Sequence, residues 1–191
     1  MNISSSRASE TVANPARSLH FGETEGGDLR LDDFETGDAH SWRLISDRVM
    51  GGVSDGVARL ETVAGRRALR MRGRVSLDNN GGFVQIARDL AIDGGVVDLS
   101  GFAGLELDVH GTGEDYGAHL RTQDVERPWQ SYRAGFRAEP AWRRVRLPFA
   151  DFHPHRIDTP LDLRGARRLG LVAIGRDFEA DLAVARVALY G

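Results

Sequence analysis

The sequence predicts an all-β fold, an antiparallel β-sandwich of jelly-roll type, and three observations carry that prediction. Apolar and polar residues alternate over short runs, most clearly where Leu69, Met71, Val75 and Leu77 share one parity and Arg70, Arg72, Arg74 and Ser76 the other. Turn chemistry built on Gly, Asn, Asp and Pro recurs roughly every ten residues. No long segment keeps a helical period. A lipocalin-like closed barrel would satisfy the same alternation. Long loops at 46–56, 89–101 and 150–165 suit a sandwich better than a barrel of tight hairpins.

Residues 1–26 are rich in Ser, Ala, Glu and Gly with unperiodic apolar positions, and they read as a flexible tail ahead of one domain over 27–191. A first strand is expected within Asp28–Phe34, ended by Gly37-Asp38, and a second at Ser41–Ile45 with Trp42. Ser46–Gly56 is too Gly-rich for a helix and too irregular for a strand. Val57–Glu61 is the next strand, and Ala64-Gly65-Arg66 turns it into the 69–77 run. Asp78-Asn79-Asn80-Gly81-Gly82 tolerates positive φ, so Phe83–Ala87 returns as the second arm of a hairpin or a tight sheet corner. Leu105–His110 and Tyr116–Thr122 are read as a hairpin around Gly111–Asp115. Trp129–Ala138 and Trp142–Phe149 follow, with Pro148 at a terminal or edge position. Residues 151–165 are loop, Arg168–Ile174 is a doubly covered central strand, and Leu182–Tyr190 is the last, for roughly nine or ten strands.

Composition narrows the function. A net charge of −3 and a pI near 6.1 do not make the basic footprint of a nucleic-acid binder. All basic side chains are Arg, and the absence of Cys excludes disulfides, thiolate catalysis and Cys-based zinc sites. No apolar run reaches the length of a membrane span, and no basic-then-apolar leader pattern occurs, so a cytoplasmic location is expected.

Two motifs, W-x4-D-x-V-M-G-G-x-S at Trp42–Ser54 and G-x-V-S-L-x-N-N-G-G-F at Gly73–Phe83, together resemble the complex I intermediate-associated protein 30 family. Softer matches are Leu120-Arg121-Thr122, Trp129-Gln130 with Tyr132, and W-x-x-V-x-L-P-F-x-x-F at Trp142–Phe152, so the likeness spans about 28–190. Met71 stands where the family usually has Phe, and the run at Gly175-Arg176-Asp177 is shorter than the family's usual loop. The resemblance implies a galactose-binding-like jelly roll similar to some carbohydrate-binding modules. It also implies a non-catalytic, assembly-factor or chaperone-like role, with a protein partner such as a respiratory-complex subunit or assembly intermediate. A carbohydrate- or small-ligand-binding module is the alternative.

Candidate contact residues are drawn from polar corners and aromatic positions. Asp47 beside Gly51-Gly52 either anchors backbone N–H groups or forms a groove rim, with the anchor favoured. Asn79 and Asn80 suit a turn first and sugar hydroxyls second. Arg88, and Arg121 with Trp129 and Tyr132, complete the set, the last three as an aromatic–polar platform. Glu106, Asp108 and His110, facing His119 and Arg121, form the one enzyme-like constellation, although an exposed sheet face carries such residues anyway. The Glu106/Asp108 stripe and the Arg70/Arg72/Arg74 ladder are expected on one sheet face. No cofactor is expected beyond a structural Ca²⁺ option at Asp32, Asp33 and Glu35, for which a solvated acidic turn is the simpler account.

Overall fold

The computed structural model describes residues 27–35 and 39–191, so the tail expected over 1–26 and the break at Gly37-Asp38 lie outside it. Two six-stranded antiparallel sheets face each other. The first runs β3 (Asp55–Val63), β4 (Arg66–Val75), β12 (Phe178–Tyr190), β6 (Gly104–His110), β9 (Arg143–Pro148), with β1 (Leu29–Asp32) also on β12. The second runs β10 (His153–His155), β8 (Ser131–Ala138), β7 (Glu114–Thr122), β11 (Ala166–Ile174), β5 (Phe83–Asp89), β2 (Arg43–Ser46).

The period-two pattern decides which side chains meet between the sheets. Leu69, Met71 and Val75 of β4, Leu105, Leu107 and Val109 of β6, and Leu182, Val184, Val187 and Leu189 of β12 point inward from the first sheet. Val84 and Ile86, Tyr116, Ala118 and Leu120, Tyr132, Ala134 and Phe136, and Leu169, Leu171 and Ala173 answer from the second. Such burial contributes about 1.5–3 kcal/mol per large apolar side chain. The register of β12 against β6 shifts between Val184 and Arg186. That bulge keeps Val184 and Val187 in the core while Ala185 and Arg186 face the outer side.

Both connections read as hairpins or corners turn out to cross between sheets. β4 and β5 lie in different sheets, so 76–82 is a corner, and β6 passes to β7 in the opposite sheet through Gly111–Gly113. Each arm offers an apolar parity, and folding one over the other buries both faces against each other. A hairpin would have put them side by side. The short β10, inside the stretch read as loop, pairs with β8 through His153↔Arg133 and His155↔Ser131.

The outer face of the first sheet is a closed charge network. Glu106, fully buried, is held by Arg146 at 2.8 Å, by Arg144 at 3.5 Å and by Arg186, and Asp108 by Arg144 at 2.9 Å and Arg66 at 2.7 Å. Arg70 forks onto Asp181 at 2.6 Å and reaches Glu61 at 2.8 Å, while Arg72 meets Glu61 at 2.9 Å. The two stripes do share this sheet, but β12 lies between them and each finds its partners elsewhere. Burial alone would raise the carboxyls of Glu106 and Asp108; the arginines outweigh it and hold both below the usual carboxylate range.

Candidate functional site

The outer face of the second sheet is different: it carries an open groove of about 490 Å³. Its floor is read from the strand register. One row across the sheet is Gly170 of β11, His119 of β7 and Arg133 of β8; the next is Gln85 of β5, Val172, Gly117 and Gly135. Gly170 lines the groove, and Gly117 and Gly135 lie on the same outward parity of β7 and β8. Neighbours lean into the space: a Cβ at Gly170 would lie 2.7 Å from Gln85 Oε1, and one at Gly117 2.8 Å from His119 Nε2.

The walls come from loops. At one end Val49 and Met50, 73% and 54% exposed, stand with Ile45, Phe83 and Ile174 as an apolar lip. At the other, Pro128, Trp129, Gln130, His155 and Arg156 border Arg121, Arg133 and Arg168. Trp129 is 48% exposed, and its loop is stapled by Gln130. Gln130 Oε1 accepts from the Glu126 and Arg127 N–H groups at 3.1 and 2.9 Å, and its Nε2 donates to the Arg156 carbonyl at 3.0 Å. His119 sits among cations in this trough; burial first, then Arg133 and His155, push its imidazole down to about 3, so it is neutral at physiological pH.

Asp47 works beneath the apolar lip. Fully buried, it accepts from Ser54 N–H at 2.9 Å, Gly82 N–H at 2.6 Å, Phe83 N–H at 3.2 Å and the Ser54 hydroxyl. Ser54 Oγ in turn accepts from Ser76 N–H at 2.9 Å. A Cβ on Gly52 or Gly81 would collide with this carboxylate. The side chain therefore clasps the 47–54 loop to the 76–83 corner, which sets where Val49, Met50 and Phe83 stand. It does not face the groove.

The other sequence candidates divide sharply. Arg121 and Trp129 line the groove together. Tyr132 points the opposite way, fully buried in the core with its hydroxyl donating to Thr159 O at 2.9 Å, so it is no part of an aromatic platform. The parity of β8 explains this: Tyr132, Ala134 and Phe136 are its inward set. Arg88 is likewise inward on β5, donating to Leu31 O at 2.7 Å and to Asp32 at 3.3 Å with Trp42 beneath it. Asn79 and Asn80 are exposed at φ 56° and 57° in the corner, outside the groove lining.

The enzyme-like constellation is split between sheets. His110 stacks edge-on to Trp142 on the first sheet, while His119 and Arg121 belong to the second. Two of the three carboxylates considered for Ca²⁺ are engaged otherwise: Asp32 accepts from Trp42 Nε1 at 2.9 Å and Asp33 pairs with Arg30 at 2.6 Å. Among the described residues no group of three His, Asp or Glu side chains is placed to hold a metal ion, and no helix is long and apolar enough to cross a membrane.

The groove residues that sequence reading passed over are Gln85, Arg133, His155, Arg156 and Arg168. A signal existed, since Gly117, Gly135 and Gly170 each share a strand parity with an Arg or His two residues away. Only the register shows that they meet.

Comparison with known proteins fits this geometry. The profile of the family described as Complex I intermediate-associated protein 30 (CIA30) matches residues 32–184. No curated protein matches the chain at the sequence level. A Family 11 carbohydrate-binding module from Clostridium thermocellum, solved with a β-1,3-1,4-mixed-linked tetrasaccharide, superposes with TM-score 0.70 at 16% identity, covering 86% of this chain and 96% of that one. A Family 30 carbohydrate-binding module, from the cellulosomal cellulase Cel9D-Cel44B of the same organism, gives 0.51 at 17% identity, over 71% and 91%. An agarase, AgWH50C, gives 0.59 at 11% identity over 86% of this chain and 25% of its own. At these identities the likeness is one of fold, the galactose-binding-like jelly roll.

Proposed function

The chain belongs to the complex I intermediate-associated protein 30 family, and from that premise we propose that it is a binding module whose site is the groove of the second sheet and whose ligand is a saccharide. The observation that carries this reading is the trough itself. Gly170 opens its floor, Gln85, His119, Gln130 and four arginines surround it, and the half-exposed Trp129 stands at its edge. Sugar rings present an apolar C–H face to an indole and hydroxyls to amides, imidazoles and guanidinium groups. The fold likeness to carbohydrate-binding modules supports the reading as architecture only. Titration of soluble oligosaccharides against intrinsic fluorescence tests it. Saturable quenching of the wild type is expected, with affinity about tenfold weaker in Trp129→Ala by calorimetry; equal affinity in the variant, or no binding by any saccharide, refutes it.

A second reading has its own observation. Val49 and Met50 are exposed on a loop held rigid by Asp47, and a pair of this kind suits a protein partner such as a respiratory-complex subunit or assembly intermediate. Capture from native lysate by wild type but not by Val49→Asn favours it.

A further inference from the structure

The groove is strongly cationic in a protein that is not. The chain carries a net charge of −3, yet the groove lining holds Arg121, Arg133, Arg156 and Arg168 and, among the described residues, no carboxylate. A smaller recess of about 250 Å³ opens beside it, sharing Arg121 and Arg168 and adding Arg167 against a single acid, Asp89. Asp89 is already taken, by Arg168 at 2.7 Å and Arg43 at 2.6 Å. Among the described residues, Arg121, Arg133 and Arg167 meet only neutral acceptors. Arg121 donates to Arg127 O at 3.2 Å, Arg133 to Ser131 Oγ at 2.9 Å, and Arg167 to Gly94 O at 3.2 Å.

The contrast with the first sheet gives the observation its force. There Arg66, Arg70, Arg72, Arg144, Arg146 and Arg186 each meet a carboxylate within 3 Å. On the second sheet Arg168 shares Asp89 with Arg43, and the groove arginines Arg121 and Arg133 meet no carboxylate within 4 Å among the described residues. Burial, then the positive neighbours Arg168 and Arg167, lower the proton affinity of the Arg121 guanidinium; burial and Arg156 do the same at Arg133. Such an arrangement costs folding free energy and is relieved when an anion enters. The guanidinium fork suits a planar carboxylate or a sulfate ester. Arg121 stands where groove and recess join, and its contact to Arg127 O ties it to the loop that presents Trp129.

We infer that the groove selects an acidic saccharide, with a sugar ring against Trp129 and its carboxylate or sulfate seated on Arg121 at the mouth of the recess. The inference rests on the saccharide reading above and sharpens it. Three oligosaccharides of equal length test it on the full chain: a neutral glucan, a uronic-acid oligomer and a sulfated oligomer. Each is titrated at ionic strengths across which the screening length falls from about 30 Å to about 8 Å. At least one acidic probe is expected to bind about tenfold or more tighter than the neutral one, as one charge-assisted contact implies. That margin shrinks with salt. Arg121→Gln and, at the rim, Arg156→Gln reduce it, while Arg72→Gln on the opposite sheet does not. Which acidic probe wins identifies the anion as carboxylate or sulfate. Neutral and acidic probes binding alike, or an acidic preference untouched by both groove variants, overturns the inference and leaves the saccharide reading standing. No binding by any of the three removes both.

Discussion

Replacing Asp47 by alanine is expected to cost about 4 kcal/mol of folding stability. The carboxylate is fully buried and accepts three backbone N–H bonds, from Ser54 at 2.9 Å, Gly82 at 2.6 Å and Phe83 at 3.2 Å, besides the Ser54 hydroxyl. A bond to a charged acceptor contributes about 1.5–3 kcal/mol, and orphaned buried donors carry a similar penalty. The contributions do not add fully, because the Phe83 bond is long and half-buried, and water can enter the space beside Gly52 and Gly81. Asp47→Asn keeps one acceptor oxygen but presents an amide to donors, for a loss of about 2–3 kcal/mol. Urea denaturation at neutral pH, followed by tryptophan fluorescence, measures both. A loss below about 1 kcal/mol for Asp47→Ala would refute the clasp, since even one charged-acceptor bond exceeds that. The pH dependence gives a second check. Burial raises the Asp47 carboxyl, but the bonds from Gly82, Ser54 and Phe83 prevail and hold it below its usual 3.8. Its contribution is complete above that value and is lost as pH falls through the lower folded-state value. The gap between wild type and Asp47→Asn therefore closes only on acidification below about pH 4.

Three further outcomes follow from the two faces. Glu106→Gln should destabilise by about 2 kcal/mol, less than a fully buried pair because Arg144 and Arg146 can turn to solvent, whereas Arg146→Gln should cost far less; parallel urea curves check the contrast. Trp129→Ala should weaken saccharide binding about tenfold with an unchanged melting temperature, while Tyr132→Phe should lose about 1 kcal/mol of stability and leave affinity intact, as calorimetry of both variants will report. His119, held near 3 when folded against 6.5 as its ordinary value, makes the unfolded chain bind more protons between those pH values, so stability falls as pH drops from about 6.5. His119→Gln should flatten that slope between pH 6.5 and 5, and NMR titration of the wild-type imidazole should show no protonation there.

The sandwich was legible because alternation is a local property, and the inward set Leu69, Met71 and Val75 follows from it directly. Parity also separates Tyr132 from Arg133, yet it does not say which side of a sheet carries a site, so Tyr132 was grouped with Trp129 across a turn. The Gly111–Gly113 connection shows a second limit. A short glycine turn reads alike whether the chain pairs with itself or arches to the facing sheet, and here it arches, which parts His110 from His119. The groove was least visible. Its floor includes Gly170 of β11, and its charge comes from arginines that look no different in sequence from the paired arginines opposite.

The clasp has a consequence for how such a chain diversifies. Asp47 and the corner it grips lie in the two motifs that resemble the family, whereas Arg121, Arg133, Arg156 and Arg168 lie outside both though within the matched residues 32–184. On the function proposed above, the joint and the ligand preference would be carried by separate residues. The trough can be relined, its arginines traded for amides or hydroxyls, without loosening the joint that holds the frame. A shared signature among such chains then certifies a common chassis and leaves each free to carry a different passenger.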